Sequence, residues 1–405
     1  MRLEEYVSVV GKKYVNQLER LAEPLKDLRV LNINSTKSGG GVAEILHRTI
    51  PLMRDLGIDV RWEVIQGQGS FFKTTKGMHN SLQGERVVFT KEELDYYLEV
   101  NRENGRRINF DVDIVVIHDP QPAPLIAFRG VGQHWVWRCH IDVSHPLRET
   151  WNFLKKYVEG YDCSIFSMAK FSQNLPHPQY LISPAIDPLS EKNRDMTDGE
   201  ARKIVGGMHV KTDKPLIVQI SRFDRFKDPV GVIKAFKIVR KYNVCRLVLA
   251  GGGASDDPEG EEVYRQVLAE ADGDPDIIVL MLPSEAHAVI NALQRVASII
   301  VQKSTKEGFG LTVTEGMWKG KPVIGGAVGG ITTQVIDHRT GFLVHSVEGA
   351  AYRMRYLLNR PKMMRQIGKN GKEFVRTNFL ITKNIRDYLI LFHSIRANHG
   401  ETIML

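Results

Sequence analysis

Cysteine is scarce in this chain. Its 405 residues hold three, Cys139, Cys163 and Cys245, far apart and without a CxxC pair. That argues against a disulfide framework and points to a reducing compartment. Long apolar runs are also missing, and no stretch reaches membrane-spanning length. The opening segment MRLEEYVSVVGKKYVNQLERL is charged and helix-like, without the apolar centre of a signal peptide. A cytoplasmic location with no membrane span is therefore expected. The net charge is +8, yet there is no Lys/Arg block and no basic-aromatic repeat. Such a surface suits small anions better than nucleic acid. Short repeats, low-complexity segments, a Walker A loop and GxGxxG are all lacking.

What remains is an ordinary globular composition, 42% hydrophobic and 25% charged, on a chain too long for one core. Two domains are expected. The recurring unit is a short apolar run, a turn and a helical pattern, which implies parallel sheets covered by helices. In the first half the strand candidates are RVLNINS, DIVVIHD, HWVWRCHID, YDCSIFS and QYLISPAID. In the second half they are KPLIVQISRF, CRLVLAGGG, DIIVLML, ASIIVQKS, KPVIGG and TGFLVH. The polar stretch Asp187 to Lys203 between them is the best linker candidate. The expected fold is α/β, two Rossmann-like doubly wound domains facing a cleft. In such sheets ligands bind beyond the carboxyl ends of the strands.

Four constellations lie at such strand ends. In KEGFGLTVTEGMWKGKP, Glu307 follows a strand, and Gly308 and Gly310 permit a tight turn. A helix then runs from about Leu311 to Lys319, stopped by Gly320. Its N-terminus suits a phosphate. The bland alternative is that Glu307 caps the helix and Glu315 is solvated. A glycosidase acid/base pair is disfavoured, since such carboxyls sit ~5–9.5 Å apart and eight helical residues rise ~12 Å. In SRFDRFKDP, Arg222 offers a flat fork and Lys227 a movable point charge, a pair suited to a diphosphate or else two surface charges. In STKSGGGVAE a glycine run, Gly39 to Gly41, joins a strand to a helix that Gly57 ends. It allows close backbone approach or is a plain turn. Finally, His118 in VVIHDPQPAP and His140 in WRCHIDVSHP sit at neighbouring strand ends, beside Asp119 and Asp142. These groups can bond sugar hydroxyls or donate to developing charge; a lone loop histidine is usually structural. Metal chemistry has little support. Asp111 to Asp113 precedes a strand, Asp272 to Asp276 reads as a turn, and Cys139 with His140 has no second pair.

Taken together, these residues resemble the retaining glycosyltransferases of family four. The resemblance rests on KEGFGLTVTE as the paired-glutamate motif and on Arg222 with Lys227 as the diphosphate cations. A narrower similarity, carried by VIHDPQPAPLI, WRCHIDVS, IDPLSEKN and GFGLTVTEGMWKGKPVIG, is to trehalose-synthesising members that join glucose from a nucleotide sugar to free glucose. It is shared with retaining trehalose phosphorylases. The resemblance implies a GT-B fold: residues 1–190 as the acceptor domain with a helical N-terminal extension, 191–380 as the nucleotide-sugar domain, and 381–405 as a helix crossing back. It implies catalytic roles for Glu307, His140, Arg222 and Lys227, with Glu307 on the donor sugar. It implies donor contacts from Gly40, Gly41, Gly308, Phe309, Gly310, Leu311 and Glu315, the last on the ribose. His118, Asp119 and Asp142 are assigned to the acceptor.

A nucleoside diphosphate glucose is the expected donor, glucose or trehalose the other partner, and no metal or other cofactor is required. The N-terminal extension offers a homodimer contact. Three positions depart from the relatives' pattern: Asp228 where glycine usually follows the lysine, Gly326 where the trehalose enzymes carry arginine, and Thr333 where many relatives carry glutamate. The alternatives are a trehalose phosphorylase, a nucleotide-sugar epimerase on the same fold, and a non-catalytic sugar-binding protein.

Overall fold

The structure is a computed structural model that describes residues 1–37, 40–252, 258–283 and 285–397. The chain forms two compact units. One contains Met1–Ala185 with Ile381–Leu405, and the other is Ile186–Leu380.

The first unit is built on a parallel sheet of β1 (Arg29–Asn34), β2 (Asp59–Val64), β3 (Ile114–His118), β4 (His134–Arg138), β5 (Cys163–Phe166) and β6 (Gln179–Leu181). The strand order is β2-β1-β3-β4-β5-β6. The second sheet contains β7 (Leu216–Ile220), β8 (Arg246–Gly251), β9 (Ile277–Met281), β10 (Ile299–Gln302), β11 (Val323–Gly326) and β12 (Gly341–Val344), ordered β12-β11-β10-β7-β8-β9. Every strand pair is parallel. The helices that position functional groups are α1 (Gly41–Asp55), α2 (Asp198–Gly207), α3 (Pro229–Val239), α4 (His287–Val296), α5 (Leu311–Trp318) and α6 (Ile381–Arg396).

Most strands are legible as apolar runs because both faces of these sheets are covered. β3, β5, β7 and β10 are buried along their whole length. β2 was not among the expected strands. It lies at the sheet edge, where Asp59, Arg61 and Glu63 interrupt the apolar pattern. The strand order reverses between β1 and β3 in the first sheet and between β7 and β10 in the second. These two switch points are where a doubly wound sheet opens a crevice for ligand.

The stretch Asp187–Lys203 is not a linker. Ser190 and Asn193 are buried, and their neighbours are tied to α4. Asn291 Nδ2 donates to the Glu191 carbonyl at 3.0 Å, and Arg295 Nη2 to the Arg194 carbonyl at 2.8 Å. Thr197 then caps α2 by accepting from the Glu200 amide at 3.2 Å. The segment alternates exposed charges such as Glu191, Asp195 and Lys203 with buried anchors at Ser190, Asn193 and Met196, so its polar composition does not make it a linker.

The C-terminal helix α6 docks on the first unit. Ile385, Leu389 and Phe392 are buried, each worth ~1.5–3 kcal/mol on burial. Asn384 Nδ2 donates to the Ser183 carbonyl at 2.9 Å, and the Tyr180 and Ser394 hydroxyls meet at 2.8 Å.

Candidate functional site

In the second unit the switch point brings together the turns after β7 and β10. Arg222 lies two residues beyond β7. Its side chain is 64% exposed and makes one long bond, 3.4 Å, to Asp224. Lys227 ends the short 3-10 turn Arg225–Lys227. That turn is held by Asp224, which accepts from the Phe226 amide at 2.7 Å, and by Gln219, whose side chain donates to the Lys227 carbonyl at 2.8 Å. From there Lys227 Nζ reaches Glu307 Oε2 at 2.6 Å, and the Ser304 hydroxyl donates to the same oxygen at 3.2 Å.

Glu307 therefore does not cap α5. The capping position is Gly310, at φ +86° and without a side-chain cap. A Cβ at Gly310 would sit 3.1 Å from Glu307 Cγ in a left-handed conformation, so glycine keeps both the turn and the carboxylate in place. α5 begins at Leu311, and in its first turn the Val313 amide bonds the Gly310 carbonyl at 2.9 Å. Phe309 packs edge-on against Phe379, leaving its backbone to line the turn. Gly308 is half-buried beside it.

Asp228 adopts φ +49° and ψ +50°, the left-handed region that explains why glycine suits this position. Here the aspartate is accommodated by doing two jobs. It caps α3 by accepting from the Gly231 amide at 3.0 Å, and it pairs with Lys303. At Gly326 a Cβ would lie 2.1 Å from the Ser304 carbonyl oxygen, so this backbone admits no side chain there. Thr333 bonds its own helix turn, donating to the Gly330 carbonyl at 2.8 Å.

Glu315 is not solvated: it is 1% exposed. Gln294 Nε2 donates to Oε2 at 3.1 Å, and Lys192 Nζ stands 3.4 Å from Oε1. Burial alone would push this carboxyl up. The charges of Lys192 and Lys319 and the Gln294 amide together outweigh burial and hold it below the usual carboxylate range. The two glutamates thus occupy different environments: one in the glycine turn beside Lys227, the other in a buried ion cluster.

In the first unit the switch point gathers the ends of β1, β3 and β4. Gly40, at φ +85°, starts α1 with no side-chain cap, and Gly41 is its first residue. Ser38 and Gly39 lie outside the described residues. His118 is 3% exposed. Its Nε2 lies 3.0 Å from Asn32 Oδ1, and its Nδ1 lies 3.0 Å from His140 Nε2. The Asn32 carbonyl oxygen accepts, so His118 carries its proton on Nε2. Its bare Nδ1 accepts from His140 Nε2–H. Asp119, at φ +67°, accepts from the His140 amide at 2.7 Å. His118 thus supports His140 from behind, with both ring nitrogens engaged. Asp142 Oδ1 accepts from the Ser144 amide at 3.0 Å and hydroxyl at 2.6 Å.

Burial, with help from the Arg138 charge, pushes His118 down to about 3 and His140 well below the usual imidazole range. Burial raises Asp119 to about 7. Both imidazoles are therefore expected to stay neutral at pH 5, where exposed histidines carry a proton. Nitrogen-15 NMR of histidine-labelled protein checks this: two rings should show neutral-tautomer shifts at pH 5. Titration of all rings near pH 6.5 would contradict it.

The residues missed at the sequence level are Asn32, Arg138, Gln294 and Lys303, all buried, and the half-buried Lys192. Arg138 did leave a signal, as a charge inside the apolar run HWVWRCHID. The acidic turns are held by cations. Asp111 and Asp113 each pair with Arg29 at 3.0 Å, and Asp276 with Lys214 at 2.8 Å. No cluster of three or more potential metal ligands occurs among the described residues, nor is any helix among them long and apolar enough to cross a membrane.

Residues 32–173 match the family model for the trehalose synthase N-terminal domain, and residues 204–374 match the model for glycosyl transferases group 1. The chain is 45% identical to a trehalose synthase of Thermococcus litoralis over 97% of both chains. It is 30% identical to a trehalose phosphorylase of Grifola frondosa, over 86% of this chain and 54% of that protein. Among solved structures it resembles an alpha,alpha-trehalose-phosphate synthase (UDP-forming) from Burkholderia xenovorans. The TM-score is 0.72 at 14% identity, covering 90% of this chain and 100% of the other.

Proposed function

Because the chain belongs to the trehalose synthase family of GT-B glycosyltransferases, we propose that it makes trehalose by transferring glucose, with retention, from a nucleoside diphosphate glucose to free glucose. The observation that carries this is the cation pair at the second switch point. Arg222 is exposed and loosely held, while Lys227 is fixed by Glu307 at 2.6 Å. Lysine has three donors, so Nζ can keep Glu307 and still meet a phosphate oxygen. Arg222 closes on the same diphosphate, and the α5 amides add the positive end of a helix dipole.

In this reading the second unit holds the donor. Glu307 and the backbone of Gly308 to Leu311 position the sugar and phosphate. Glu315, already ionised in its buried cluster, accepts from the ribose. In the first unit Gly40 and Gly41 carry the donor role that the family resemblance implies. His140 offers its remaining ring nitrogen to the reacting sugar, and Asp119, Asp142 and His118 order the acceptor side. A covalent glycosyl-enzyme would need a free carboxylate nucleophile. Glu307 Oε2 is instead bound to Lys227 and Ser304. The bonded Oε2 supports a positioning role for Glu307, and this reading adopts front-face transfer, with the leaving diphosphate helping to take the acceptor's proton and the cations stabilising its charge.

The test is incubation with ADP-, UDP- and GDP-glucose, with and without glucose, measuring nucleoside diphosphate and disaccharide. A disaccharide formed with release of nucleoside diphosphate supports the proposal. Trehalose cleavage that requires inorganic phosphate and ignores nucleotides would favour the phosphorylase. That reading has the weaker support, since its relatives are 30% rather than 45% identical. Donor epimerisation without an acceptor would favour the epimerase.

Since side-chain cations and a helix N-terminus neutralise the diphosphate, full activity should persist in excess chelator. Loss in chelator restored by magnesium or manganese would contradict the cation account.

A further inference from the structure

We propose that a cavity inside the first unit is a binding site for a small inorganic anion of the chloride class, seated on Arg138. The polar residues lining it are Asn32, Thr49, His118, Arg138, His140, Asn384 and Tyr388, and the largely apolar face of α1 closes one side. Its volume is about 20 Å³, which suits a single water-sized particle and not a sugar ring or phosphate.

Arg138 is 1% exposed, and its Nε and Nη1 have no hydrogen-bond partner. No ion pair to it occurs among the described residues. Burying an unpaired charge is costly unless an opposite charge joins it. No aspartate or glutamate lines the cavity. Asp119, the carboxylate whose charge acts on Arg138, has its Oδ1 taken by the His140 amide. The α1 lining runs the length of the helix, from Val42 to Met53, so a side of the helix and not its N-terminus faces the space. The two imidazoles contribute no charge, because His118 and His140 are held neutral by burial. A buried guanidinium without a carboxylate, beside two neutral rings and an apolar helix face, makes a net positive site. The rival occupant is a water bridging Arg138 and the unpartnered Asn384 Oδ1.

Two arms on the full-length chain decide between them. In the first, crystals soaked in sodium bromide are measured at the bromine edge. An anomalous peak against Arg138 Nε and Nη1 is expected, and a water refining there with no anomalous signal overturns the proposal. In the second, thermal unfolding is followed from 1 to 100 mM chloride, with gluconate holding the ionic strength. A chloride-specific rise in Tm of about 2–4 °C is expected. It should vanish in Arg138→Met and survive in part in Arg138→Lys. Equal shifts in chloride and gluconate, or a rise retained in Arg138→Met, overturn the proposal. If Arg138→Met does not fold, the bromide arm decides alone. Neither arm uses the sugar donor, so failure here is separate from failure of the proposed transfer.

Discussion

Lys227→Met lowers kcat/KM for the donor by two to three orders of magnitude. The methionine removes two interactions at once. One is the charge-assisted bond to the diphosphate, and the other is the 2.6 Å bond that fixes Glu307 in the glycine turn. Each is worth ~1.5–3 kcal/mol; because both come from one ammonium they do not add in full, and a joint loss of ~3–4 kcal/mol, roughly 10²–10³ in rate, is expected. Arg222→Ala removes one exposed, loosely held cation, so a smaller loss, about ten- to hundredfold, is expected with no change in Tm. Adding Glu307→Gln to Lys227→Met should cost less than the sum of the single losses, because the two residues act as one unit. Steady-state kinetics of the four variants checks this. Unchanged donor kinetics in both Lys227→Met and Arg222→Ala would remove the diphosphate clamp.

The second large effect is on stability. Lys192→Met leaves Glu315 1% exposed and facing one cation fewer. Removing one member of a buried pair costs about 3–5 kcal/mol, because a charge stays behind unpaired. Lys319 and Gln294 remain near Glu315, so a loss of about 3 kcal/mol is expected. The pH dependence has a definite sign. Glu315 is held below its ordinary value in the folded state, so its contribution is full above about pH 4.5 and fades as pH falls through the folded value. In Lys192→Met that contribution shrinks, and the stability advantage of neutral over acidic pH becomes smaller. Replacing both residues, as Lys192→Met with Glu315→Met, should restore much of the stability, since no charge is left uncompensated. The double variant should still bind donor weakly, having lost the ribose acceptor. Chemical denaturation across pH 3–7 with donor titrations is the check. Wild-type stability in Lys192→Met would show that the pair contributes nothing.

The parts of the fold that were legible were those that local chemistry dictates. Strands such as Ile114–His118 and Leu216–Ile220 are apolar runs because both faces of their sheets are buried. The turn at Gly310 and the end of α5 at Gly320 follow from positive φ. The positions of Arg222 and Glu307 beyond strand ends follow from the alternation of strand and helix. The rest depends on contacts between residues distant in sequence. Glu315 is separated from Gln294 by 21 residues and from Lys192 by 123, so nothing beside it marks it as buried. The Asp187–Lys203 stretch has a linker's composition, but Asn193 accepts from Lys319 Nζ at 2.6 Å and is held inside. The pairing of His118 with His140 required strands β3 and β4 to be adjacent, which the order of elements suggests but does not dictate.

The central claim is retaining transfer of glucose from a nucleotide donor to free glucose. Its most direct test is carbon-13 NMR of a reaction between nucleoside diphosphate [1-¹³C]glucose and unlabelled glucose. The account predicts α,α-linked trehalose labelled at one anomeric carbon, appearing in step with an equal amount of nucleoside diphosphate. A labelled β linkage, or no labelled disaccharide with any nucleotide donor, would contradict it.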